Sequence, residues 1–337
     1  MKNVSIKKIF LAIITLVIGL GAHMASSKLL TLAGITFTSQ ILDQFVNEVI
    51  FAAVVVAIIF IIKKQSVFSF DKDGFLKGLK AGIPVIVYSV MLILVSLSKL
   101  QGHTLVKGWE IVLFILFCLL IGVAEEGLFR GAVQELVMDA FAAKTKNQKK
   151  IAIIVASALF GSAHFINLRL GANLGSVILQ VVSATAAGML FGAICVQSGR
   201  NLWAAVVAHA LMDCGAFVND GMLWGTKIVD TVNSLSAGVL ITTAVDIALF
   251  FYIMNRIDED EVDAEEANTA TAEVPTTGAA VIPASARDCT TTAKATVTST
   301  SSSTKKSHKK GIIIGVAVTS FILVAFLVIL PMIMTTF

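Results

Sequence analysis

Apolar runs dominate the chain, and they recur at a length that suits a bilayer rather than a soluble core. They cover residues 9–24 and, to within a residue or two, 45–62, 81–98, 109–126, 150–166, 173–197, 201–218 and 235–254. A helix needs about 20 apolar residues to cross the hydrocarbon layer. Strands with open edges cannot cross it, because their backbone groups would go unpaired. The pattern therefore predicts an all-α, polytopic transmembrane helix bundle with eight core spans in residues 1–256. Lys2, Lys7 and Lys8 precede the first run, which reads as a retained span and not as a cleaved signal peptide.

The pattern breaks after Arg256. Asp258 to Glu266 is acidic, and Thr269 to Thr304 is rich in Thr, Ala and Ser. Such a stretch buries too little apolar surface to fold, so residues 257–310 are expected to be a disordered linker. Residues 311–337 follow a basic flank of Lys305, Lys306, Lys309 and Lys310 and are apolar enough for a ninth, C-terminal transmembrane helix.

Charge supports this layout. With the N-terminus in the cytoplasm, about 20 Lys and Arg fall on the inner side and about five on the outer, as the positive-inside rule requires. The expected location is thus a cell membrane, crossed several times. The 337 residues are 56% hydrophobic and 14% charged, against about 25% charged in soluble domains. The positive charge sits in short loops between spans, which argues against nucleic acid as a partner. Of four cysteines, Cys118, Cys195 and Cys214 lie in apolar runs and Cys289 in the linker. No spacing among them suggests a disulfide or a thiolate metal site.

Ionisable residues inside the spans narrow the function, since each costs about 2.5–3.5 kcal/mol at the centre of a bilayer helix. The fourth span ends in Glu125-Glu126-Gly-Leu-Phe-Arg130. Glu126 and Arg130, four residues apart with the acid first, suit an ion pair on one helix face. Glu125 has Phe129 at the matching position and is left free to act. Gly127 and Gly131 form a small-xxx-small pair that admits a neighbouring helix, and Gly188 and Gly192 offer a similar face on the sixth span. The fifth span carries Phe160 and His164 on one face, and the seventh His209 and Asp213. Glu48 and Asp246 lack such neighbours and read as structural or accessory. Gathered in one core, a carboxylate and a histidine can deprotonate water, while a second histidine donates to an oxyanion.

These motifs resemble the CPBP family of intramembrane endopeptidases, which includes the type II CAAX prenyl proteases and the bacterial Abi proteins. The family pattern EExxxR, FxxxH and HxxxN or a variant is matched by Glu125-Glu126-Gly-Leu-Phe-Arg130, Phe160-Gly-Ser-Ala-His164 and His209-Ala-Leu-Met-Asp213, in order, within about residues 80–218. The resemblance implies a bacterial membrane protease that cuts a membrane-associated protein or peptide. By it Glu125 is the general base and His164 holds the water. Glu126, Arg130 and Phe160 support the site, and His209 with Asp213 stabilises the oxyanion. Asp213 stands where the family commonly has Asn. An ionised carboxylate there would repel an oxyanion, so its expected task is to orient His209.

Zinc is conceivable at these Glu and His side chains, but HExxH is absent from the sequence and the resemblance favours a metal-independent glutamate mechanism. No cofactor is expected. The rival reading is non-enzymatic: a proton-coupled transporter built on the same acids and histidines, or a bacteriocin-immunity-type membrane protein. A transporter would show an internal repeat, and none is evident.

Overall fold

The computed structural model describes residues 4–257, so the expected linker and C-terminal helix lie outside the described residues. The described part contains helices and no strand. The helices are α1 Ile6–Leu32, α2 Gln40–Ile61, α3 Lys72–Leu97, α4 Gly108–Glu126, α5 Glu135–Phe141, α6 Lys146–Ala163, α7 Leu174–Gln197, α8 Leu202–Asp220, α9 Ile228–Asn233 and α10 Val239–Arg256. Among the described residues, eight helical segments are long and apolar enough to cross a membrane. The bundle is the multi-pass membrane architecture that the hydrophobic pattern predicts.

Helix starts follow local chemistry. The Asp71 carboxylate accepts from the Gly74 amide at 2.7 Å to cap α3, and the Asn173 side chain accepts from the Ser176 amide at 2.8 Å to cap α7. Each takes up an amide that the first helical turn leaves without a partner. Thr145 and Gln148 close a reciprocal box at the start of α6. The chain leaves α8 through Gly221 at φ 95°, a left-handed conformation that suits glycine.

The fourth span differs from its expected outline. It does not stop near residue 126 but runs on to Phe141, through a π-helical stretch over Gly127–Gln134 that joins α4 to α5. Every residue of that stretch is buried. Wider i→i+5 turns of this kind re-aim side chains and gather at functional sites. Here the stretch begins directly after Glu125 and Glu126.

Around α4 the packing is tight and registered. A Cβ at Gly122 would lie 2.7 Å from the Val206 carbonyl oxygen and 3.3 Å from the Ala210 Cβ, so only glycine lets α8 come this close. On another side Gly127 and Gly131 lie against Val55 and Ile59 of α2, which is the close approach that their spacing predicts. The Ser39 hydroxyl bonds Glu110, tying the start of α2 to the start of α4. Gly188 of α7 receives Phe160 and Ser157 of α6. Helices α2, α4, α6, α7 and α8 thus converge at the depth where α4 turns π-helical.

Candidate active site

Glu126 is fully buried and its Oε1 has two partners. Arg130 Nη1 is 3.0 Å away, the ion pair expected from the i,i+4 spacing, and His209 Nδ1 is 2.7 Å away. A carboxylate only accepts, so the imidazole donates from Nδ1 and its Nε2 faces the other way. The Arg130 Nη2 donates to the Gly188 carbonyl at 3.2 Å, and the guanidinium lies 4.6 Å from the centre of the Phe160 ring. Arg130 therefore links α4 to both α6 and α7. A buried ion pair needs further bonds to its members; here His209 Nδ1 and the Gly188 carbonyl supply them, while Glu126 Oε2 and Arg130 Nη1 have no hydrogen-bond partner.

The second face of His209 is where chemistry can occur. Its Nε2 is 3.4 Å from Asp213 Oδ2 and 3.7 Å from Glu125 Oε2. The side chains of Glu125 and Asp213 are 27% and 18% exposed, against 3% for His209 and 0% for Glu126. The site is thus sealed behind His209 and open in front of it. Phe191 fixes the ring plane by stacking on it at 4.9 Å and 17°.

His164 ends α6, and its Nδ1 lies 3.2 Å from the Phe160 carbonyl. That oxygen can only accept, so Nδ1 carries the proton and Nε2 keeps its lone pair. The Phe160 ring meets His164 edge-on at 5.2 Å and His209 at 6.1 Å, which makes it the wall between the two imidazoles. His164 is within electrostatic range of Asp213 and His209.

All seven residues singled out in the sequence, Glu125, Glu126, Arg130, Phe160, His164, His209 and Asp213, therefore meet in one region. The division of labour among them differs from the spacing alone. Spacing pairs His209 with Asp213 and confines Glu126 to Arg130. In the structure Glu126 holds the rear nitrogen of His209, and Asp213 faces the front one. Two further residues join. Phe191 carries no sequence signal beyond lying between Gly188 and Gly192. Glu48 of α2 is buried and within electrostatic range of Glu125, Asp213 and His209; its only sequence signal is an acid in an apolar run. Asp246 on α10 does not interact with this group.

Among the described residues no three or more His, Cys, Asp or Glu side chains are arranged to hold a metal ion. Glu126 and the Nδ1 of His209 are already committed to each other and to Arg130.

The acid–histidine cluster, sealed on one side and open on the other, lies within a bundle of membrane-crossing helices. Residues 107–215 match the Rce1-like family model, described as type II CAAX prenyl endopeptidase Rce1-like. The match begins just before α4 and ends in α8, so it contains every member of the cluster except Glu48. A search of curated proteins found no match.

Proposed function

We propose that this protein is an intramembrane endopeptidase that hydrolyses a peptide bond of a membrane-associated protein or peptide, with Glu125 as the general base. The observation that carries the reading is the convergence of Glu125 and Asp213 on His209 Nε2 while Glu126 fixes His209 from behind. Water held between Glu125 and the free Nε2 of His164 attacks the scissile carbonyl. Its proton passes to Glu125 and then to the leaving amine. His209, carrying a proton on Nε2, donates to the oxyanion. The separation of 3.7 Å between Glu125 and His209 leaves the two groups unbonded to each other and free to engage a substrate, as sites without ligand commonly do.

The family description suggests a prenylated CAAX terminus as the substrate class to try first. The test is cleavage of a dye-quenched farnesylated CAAX peptide by the full chain in vesicles. Wild type and Asp246→Asn should cut it alike, whereas His164→Ala should be slower by roughly 10²–10⁴-fold. Undiminished cleavage by His164→Ala would remove that residue from the mechanism.

A further inference from the structure

His164 sits where one kind of helix gives way to another. The α-helical part of this span ends at Ala163, and His164–Leu170 continues it as a 3-10 helix. That form has poorer hydrogen-bond geometry and occurs in short pieces, and helix ends open more readily than helix interiors. A histidine that must present one nitrogen in one direction needs a firmer hold than such a junction supplies.

Two contacts with α7 supply it, one on each side of His164. Three residues earlier, Gly161 lies so close to α7 that a Cβ there would be 2.5 Å from the Val181 carbonyl oxygen. Three residues later, Asn167 Nδ2 donates to Gln180 Oε1 at 2.8 Å. The backbone of Asn167 is engaged as well, since its carbonyl accepts from the Ala172 amide at 3.0 Å. Gln180 precedes Phe191 by 11 residues, which is about three turns of helix. Phe191 stacks on His209, so Gln180 shares the side of α7 that faces the site.

What this hold protects is the His164 tautomer. Its Nδ1 is 3.2 Å from the Phe160 carbonyl oxygen, at the long end of the range for such a bond. A small rotation of the 3-10 turn away from α7 carries the ring with it and breaks that bond. The Phe160 carbonyl then no longer selects which ring nitrogen holds the proton, and a proton on Nε2 removes the lone pair that accepts from water. We propose that Asn167 and Gln180 are positioning residues of this site: their hydrogen bond pins the 3-10 turn to α7 and so fixes the direction and the tautomer of His164. Neither touches the reacting atoms. The consequence for turnover rests on the proposed hydrolytic reading, but the first test does not need activity.

That test is NMR of the full chain, labelled with ¹⁵N-histidine, in lipid nanodiscs at mildly alkaline pH. The His164 signals are those that His164→Gln removes. In wild type they should show one tautomer, protonated on Nδ1, and in Asn167→Ala they should move towards a mixture of the two. His164 signals unchanged by Asn167→Ala overturn the proposal.

The second test follows cleavage of the farnesylated peptide in vesicles. Asn167→Ala and Gln180→Leu should each lose roughly 10–100-fold in kcat, the scale of a small misplacement, with KM within about twofold of wild type. Their unfolding midpoints should stay within about 4 °C of wild type. The double variant should lose no more than about twofold beyond either single one, because both remove the same bond. Gln180→Glu, which keeps an acceptor for Asn167, should recover most of kcat. Losses that multiply in the double variant, equal losses in Gln180→Glu and Gln180→Leu, or a fall in kcat only in step with the amount of folded protein would overturn the role. If Asn167→Ala does not fold, Gln180→Leu carries both tests. Wild-type inactivity on every substrate tried would count against the hydrolytic reading, and the His164 signals alone would then decide the positioning role.

Discussion

Glu126 Oε1 stands 2.7 Å from His209 Nδ1, and this contact joins α4 to α8 at the back of the site. The same oxygen is 3.0 Å from Arg130 Nη1, so one fully buried carboxylate neutralises an arginine and fixes the tautomer of a histidine. Fold and chemistry meet on this atom.

Glu126 variants should separate those two duties. Glu126→Ala leaves Arg130 buried without its anion, a loss of about 3–5 kcal/mol for a broken buried pair. It should lower the yield of folded protein and the midpoint of thermal unfolding in detergent. Glu126→Gln keeps an oxygen for Nδ1–H and should fold better, yet lose roughly 10–100-fold in activity, the usual cost of disturbing a group that orients a working histidine.

Arg130→Lys tests whether charge alone suffices. Lysine keeps the charge but has no planar fork to reach both Glu126 and the Gly188 carbonyl, and it stacks less well on Phe160 and Phe191. The variant should be destabilised by about 1–3 kcal/mol, seen as a lower unfolding midpoint, with cleavage reduced in parallel.

Close helix approach can be tested without touching an ionisable group. A Cβ at Gly161 would lie 2.0 Å from Thr185 Oγ1 and 2.5 Å from the Val181 carbonyl oxygen. Gly161→Ala must therefore push α6 away from α7, at about 1–3 kcal/mol, and it should slow cleavage because His164 ends the same helix. Thr185→Ala should rescue it only in part, since the Val181 backbone remains. Gly21→Ala is the control: nothing lies within 4 Å of its Cβ, and stability should not fall.

Much of this was legible in the chain. Runs of bilayer length define the spans, and i,i+4 spacing finds the Glu126–Arg130 pair. What could not be read is whatever depends on register between distant helices. The contact between Glu126 and His209 spans 83 positions and exists because Gly122 lets α8 settle on α4. A sequence period of 3.6 also hides the π-helical stretch, so the fourth span was expected to stop near residue 126 when it continues to Phe141. Glu48 looked accessory for the same reason: its neighbours are brought to it by the offset of α2 against α4. Asp213 shows how a correct grouping can still leave the contact open. Spacing placed it on the face of His209, and only the fold settled which ring nitrogen it meets.

The central claim is that Glu125 activates water for peptide-bond hydrolysis, and comparative peptidomics tests it most directly. Membranes of cells carrying the wild-type chain or Glu125→Gln, at matched protein levels, are compared for new peptide termini by mass spectrometry. Cleavage products should be present with wild type and reduced by roughly 10²-fold or more with Glu125→Gln. Products of equal abundance in the two membranes would contradict the account.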